Sequence, residues 1–236
     1  MKEHVVTQGE HLARVTHRAG FEVSRTVWEA GENSTLRKLR DNPNVLLPGD
    51  VLVIPPREAR HEACATEKRH RFVRKSEKLL LRVALHGLKN KPLAGHACTV
   101  SVDTQSTPNE LLTDTKGFFE VRLRPNSELG SLIDHGAPGT GSPGSTGIRF
   151  ERQIEFRIGH LDPVTEVSGQ IARLNNLGYD AGELPDHDLT PKEKSDLQSS
   201  IQFRSAAEEF QCDHGLAVDG KCGSNTQKSL RDAHGS

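Results

Sequence analysis

Apolar positions along the chain fall into three regimes. In the first, about residues 4–55, the strand-like run His4-Val5-Val6 is followed by Leu12, Val15 and Ala19 at helical spacing, and Gly20 closes the helix. Thr7-Gln8-Gly9-Glu10 fits a capping box, with Thr7 as cap and Glu10 reaching back. A second helical pattern carries Val27, Trp28, Leu36 and Leu39, interrupted near Gly31. Asp41-Asn42-Pro43-Asn44 reads as a turn, and Pro48-Gly49 leads into the apolar strand Val51–Ile54, stopped by Pro55-Pro56. The predicted order is strand, helix, helix, strand.

The second regime has period two. Residues 79–86, 97–102, 118–124 and 154–158 alternate as half-buried strands do, with turn signals between them and a Gly/Pro/Ser-rich loop at 134–147. Short alternating strands of this kind predict a β-sandwich. Asp103 and Asp114 read as turn residues rather than catalytic carboxylates. The stretch 57–78 is a basic, polar connector.

The third regime is helical again. Val164, Val167, Ile171, Leu174 and Leu177 share one face, and Gly178 closes that helix. Thr190, Pro191 and Glu193 start a second helix that the pattern carries to Gln211, with Leu197, Ile201, Ala206 or Ala207, and Phe210 facing inward. Ser224-Asn225-Thr226-Gln227 caps a third, which carries Leu230. Together the regimes predict a multidomain α+β protein: a βααβ domain at 1–58, a linker at 59–76, a central β-sandwich at 77–160 and a C-terminal three-helix bundle at 161–236.

Three resemblances attach to these segments. Gly9-Glu10-His11-Leu12, Asn42-Pro43-Asn44 and Leu47-Pro48-Gly49-Asp50-Val51-Leu52-Val53-Ile54-Pro55 make the first segment resemble a LysM domain. Two departures stand out: Glu10-His11 replaces the usual Asp-Thr/Ser, and the middle is lengthened by Glu32–Arg40. The resemblance implies binding of N-acetylglucosamine polymers in a groove between two loops, here Gly9, Glu10 and His11 on one side and Asn42, Asn44 and Val45 on the other. Pro92-Leu93-Ala94-Gly95 and Thr113-Asp114 through Gly117-Phe118 resemble the carboxypeptidase-regulatory or transthyretin-like sandwich.

Leu174, Leu177-Gly178-Tyr179, then Phe210-Gln211, Gly215-Leu216, Val218-Asp219-Gly220, Gly223, Thr226 and Leu230 resemble the peptidoglycan-binding-domain-1 family. Most of these positions make the fold. Gln211, Asp219 and Asn225 are the expected exposed contacts to glycan or stem peptide. Cys212 and Cys222 flank the crossing, and a bridge between them requires Cα atoms within about 7 Å.

Composition narrows the function. A formal net charge of −1 gives no overall pull toward nucleic acid or an anionic membrane. No stretch approaches the roughly 18 apolar residues of a spanning helix. No apolar run follows Met1-Lys2-Glu3-His4, so no secretory signal is expected. The expectation is synthesis in the cytoplasm and delivery to periplasm or wall by a secretion machine. His61, Cys64 and His70, His160 and Asp162, and Asp186, His187 and Asp188 lack the paired spacing of a metal site. No Gly-x-Ser-x-Gly elbow, Cys–His context or phosphate loop is present. Neither catalytic residues, metal nor cofactor are expected.

The reading is a non-catalytic peptidoglycan-binding protein with two wall-binding modules, acting as adaptor or cargo of a contractile injection or type VI secretion system. The layout is similar to that of LysM proteins associated with such machines. Its partners are peptidoglycan or another N-acetylglucosamine polymer, together with injection-machine proteins. The alternatives are a docking component of such a machine without glycan binding, or a wall hydrolase effector using His and Asp residues of the central segment.

Overall fold

The computed structural model describes residues 1–58, 63–71, 79–87, 91–137, 152–185 and 187–236. It is mixed α and β, with seven α-helices and antiparallel sheets among the described residues. The chain divides into two compact units. One comprises Met1–Ala19, Ser24–Arg60 and Gly159–Ser236; the other comprises Gly20–Val23 and His61–Ile158.

In the first unit, β1 (Lys2–Val5) pairs antiparallel with β2 (Val51–Ile54), Lys2 opposite Ile54 and Val5 opposite Val51. Between them lie α1 (Leu12–Arg18), α2 (Ser24–Trp28), a 3₁₀ turn at Gly31–Asn33 and α3 (Ser34–Leu39). Val6, Leu12, Val15, Val27, Leu36, Leu46, Leu52 and Ile54 are buried. The helix after β1 starts later than its capping pattern predicts. Thr7 to Glu10 form a turn, with the Glu10 N–H donating to the Thr7 carbonyl at 3.1 Å. Gly9 there has φ +80°, which no right-handed helix contains, so His11 becomes the N-cap. One half of the capping box survives: a Glu10 carboxylate oxygen accepts the Thr7 N–H at 3.1 Å.

Asn33 fastens α2 to the sheet. Its amide donates to the carbonyls of Val27 (2.7 Å) and Val53 (2.8 Å), and its oxygen accepts the Val53 N–H (2.8 Å).

The rest of the first unit holds α4 (Val167–Asn176), α5 (Pro191–Ser199), α6 (Ile201–Asp213) and α7 (Ser224–His234). Val164, Val167, Ile171, Leu174, Ala181, Phe203, Ala206, Phe210 and Leu230 form its core. The capping box at Thr190 and Glu193 is present. The helix that follows does not reach Gln211 unbroken. Ser200 adopts extended geometry and its hydroxyl accepts the Phe203 N–H, so it ends α5 and caps α6. Four helices therefore stand where three were expected.

The second unit carries β3 (Leu79–Ala84), β4 (Ala97–Val102), β5 (Asn109–Leu112), β6 (Phe118–Leu123), β7 (Leu129–Asp134) and β8 (Arg152–Arg157). β3 pairs with β6, and the other four run β5-β4-β7-β8, all antiparallel. Both sheets contribute to one core, with Cys98, Val100 and Leu132 from the larger and Phe119 and Val121 from the smaller. Asp103 and Asp114 are turn residues: each carboxylate accepts two backbone N–H groups, from Glu128 and Leu129 and from Lys116 and Phe118 respectively. Most of the Gly/Pro/Ser-rich loop lies outside the described residues.

Candidate functional site

The crossing between α6 and α7 is built around one buried side chain. Gln211, 1% exposed, leaves the last turn of α6 and spends its amide on the loop opposite. Its oxygen accepts the backbone N–H groups of Asp219 (2.9 Å) and Gly220 (3.0 Å). Its nitrogen donates to Asp219 Oδ1 (2.8 Å), the Lys221 carbonyl (2.9 Å) and Thr226 Oγ1 (3.1 Å). A loop between helices has no ladder to satisfy its backbone, and this amide supplies the missing partners. Gln211 is therefore not the exposed contact expected of it.

Asp219 and Asn225 are exposed, and so are Asp213, His214, Ala217 and Val218. The Gln211 amide and then the Lys221 N–H hold the Asp219 carboxyl below its ordinary range, so it is an anion on the rim. Beside it, Tyr179 donates its hydroxyl to Asp213 at 3.0 Å. The Tyr179 ring meets Phe210 edge-on with centroids 5.5 Å apart, and the His214 ring lies on Phe210 at 4.2 Å. Neither Tyr179 nor His214 was expected at the site, although Tyr179 belongs to the pattern that pointed there. The result is a fixed surface with an anionic rim, amide and hydroxyl groups, and ring faces. Such a surface suits a sugar or peptide amide.

The second expected surface is closed. Gly9, Glu10 and His11 are buried, and so is Val45. Val45 belongs to the interior, and Asn42 is half-buried; of the six residues expected along the groove, Asn44 alone is exposed. Glu10 is bonded inside the module, to His4 (2.7 Å), the Thr7 N–H and Arg18 (2.9 Å). Burial alone would raise its carboxyl, but the Thr7 N–H and His4 outweigh burial and hold it low.

Gly9 and His11 are covered by Gly159 and His160. A methyl group on Gly9 would fall 2.6 Å from Cε1 of His160, and one on Gly159 would fall 2.7 Å from Cδ2 of His11 and 2.8 Å from the Gly9 carbonyl oxygen. Neither ring nitrogen of His11 has a hydrogen bond of good geometry among the described residues; Asn44 lies close enough to favour the charged ring without satisfying it. Burial, helped by the Arg14 charge, pushes the His11 imidazole down to about 4.

The covering strap is itself anchored. Asp162 Oδ2 accepts the Ser168 hydroxyl at 2.5 Å, and the Asp162 carbonyl accepts the buried Arg173 guanidinium at 2.8 Å. Gly169 lets α4 come so close that a methyl there would fall 2.5 Å from the Asp162 carbonyl oxygen. His160 and Asp162, weighed as metal ligands from sequence, belong to this strap.

Cys212 is exposed, Cys222 sits against the helical core, and neither is bridged. Burial pushes the Cys222 thiol up to about 12. Among the described residues no three His, Cys, Asp or Glu side chains gather as a metal would require; His61 and Asp186 lie outside the described residues. No described helix is long and apolar enough to cross a membrane. No family model matches the chain, nor does any curated protein or solved structure.

Proposed function

We propose that the protein is a non-catalytic binder of cell-wall glycan that works through the α6–α7 crossing. The observation that carries this reading is the Gln211 clamp. It holds Asp219 directly and, through the Thr226 hydroxyl, the start of α7 beside Asn225, with the Asp219 and Gly220 N–H groups already bonded, so little ordering entropy is lost when a ligand docks. The resemblance of Phe210–Leu230 to peptidoglycan-binding domains supports the same ligand class, and that of the first segment to LysM domains supports an N-acetylglucosamine polymer. Adaptor or cargo of a contractile injection system remains the setting proposed for this activity.

The test is retention of the full chain on purified insoluble peptidoglycan, beside Asn225→Ala and Val218→Asp. Retention, weakened by roughly tenfold in both variants, supports the reading. Equal retention of all three moves the binding surface elsewhere. No retention of any of them removes wall binding.

A second reading is favoured by a different observation. The loop Gly9–His11 already serves as a seat for Gly159 and His160, which is what a module used for protein docking would do. In that reading the chain is a docking component of an injection machine and binds no glycan.

A further inference from the structure

We propose that His160 is an internal plug, keeping the groove between the Gly9–His11 and Asn42–Val45 loops closed to glycan until it is displaced. This rests on the wall-glycan reading above and assigns a regulation to it.

Three observations converge. First, the imidazole lies directly on the one residue of the strand–helix loop that has no side chain, where a ligand would gain its closest approach to backbone. Second, the backbone beside the plug closes the rest of the loop. Gly159 stands against the His11 ring and the Gly9 carbonyl, and that carbonyl also accepts a hydrogen bond from Arg14 Nη1 at 3.1 Å. Third, the plug has a firm base, because Ser168, Gly169 and Arg173 fix Asp162 and Pro163 to α4.

A ligand for this groove must compete with a group tethered two residues from its anchor. When the open form is a small fraction of molecules, apparent affinity falls by that same fraction. The isolated chain therefore has one open face, the α6–α7 crossing, and a second that is shut. Two sites on one chain reinforce one another only when both can be occupied together. Displacing His160 converts a one-site binder into a two-site binder.

The experiment compares the full-length wild type with His160→Ala, reading amide exchange and chemical-shift changes on titration with a soluble N-acetylglucosamine tetramer. His160→Asn, shorter but still polar, replaces the alanine variant if that fails to fold. The expected result is slow exchange and no tetramer-dependent shifts at Gly9–Leu12 in the wild type. In the variant, exchange there is faster, and saturable tetramer-dependent shifts appear at Gly9, His11 and Asn44.

Shifts at Gly9–His11 of equal affinity in both proteins overturn the plug. So does faster exchange in the variant without tetramer binding. Wild-type retention on peptidoglycan is measured in parallel. If it persists while the variant gains nothing, the plug fails and wall binding by the crossing stands.

Discussion

The side-chain oxygen of Gln211 accepts the backbone N–H groups of Asp219 and Gly220 together, at 2.9 and 3.0 Å. One buried amide thus does for the α6–α7 loop what a neighbouring strand does in a sheet. Gln211→Ala leaves these donors, the Lys221 carbonyl and the Thr226 hydroxyl without this partner. It is expected to lower stability by about 3 kcal/mol. Urea unfolding of the full chain measures this, and a loss below about 1 kcal/mol would show that water replaces the amide without cost.

Acid should destabilise the first unit through His11. The unfolded imidazole takes its proton near the ordinary 6.5, whereas burial holds the folded one down to about 4. The unfolded state therefore binds more protons as pH falls from about 6.5 to about 4, and stability drops across that window. His11 alone accounts for about 3 kcal/mol. His234, pushed down to about 4 by burial and then Arg173, acts in the same direction. Asp162, raised by burial, opposes both near the acid end. Melting temperature followed against pH should fall through this window and fall less in His11→Gln. An unchanged slope in the variant would remove His11 as the cause.

Gly9→Ala tests the contact with His160 directly. The positive φ costs about 1 kcal/mol for any side chain, and the clash adds roughly as much again. The second part should disappear in a His160→Ala background. A double-mutant cycle with a coupling near zero would show that the two residues do not press on one another.

The ion pairs of the first unit should differ sharply in value. Arg40 holds both oxygens of Asp50 at 2.8 Å, and one of those oxygens also accepts the Leu47 N–H. Both partners are nearly buried, so Arg40→Ala is expected to cost about 3 kcal/mol. Arg231 meets Asp41 at 2.6 Å with Asp41 82% exposed, and Asp41→Ala should change stability by less than about 0.5 kcal/mol. Chemical denaturation of the two variants side by side decides whether burial, rather than distance, sets the difference.

The fold was legible where the signal was local. Alternation placed β3, β4, β6 and β8, and the Thr190 capping box and the Gly178 stop lie where the pattern put them. β5 was not expected, and nor was β7. In β7, Gly130 breaks the alternation, and the structure shows why: a methyl there would collide with the Phe156 ring on the neighbouring strand. Ser200 looked like a helical position because its neighbours keep the apolar spacing. Its hydroxyl competes for the backbone and wins, as serine does at a helix start.

The site was half legible for related reasons. Its polarity alone predicts that Gln211 is exposed, whereas it is 1% exposed. Counting the backbone donors of a loop with three glycines and no strand partner points to a buried acceptor. The seat of His160 on Gly9 joins residues far apart in the chain, and no spacing rule reports such a contact.

The break at Ser200 has a consequence for how the C-terminal helices come apart. α5 has no fully buried residue; it is tied to α4 by the ion pair of Lys194 with Glu166 at 2.6 Å and by Leu197 resting on the core. α6 is capped by Ser200, which lies outside α5, so the cap of its first turn uses no residue of α5. α5 can thus melt as a separate cooperative unit at a free energy well below that of global unfolding. Its amides would then exchange first, and a protease would cut there before the α6–α7 crossing lost its shape.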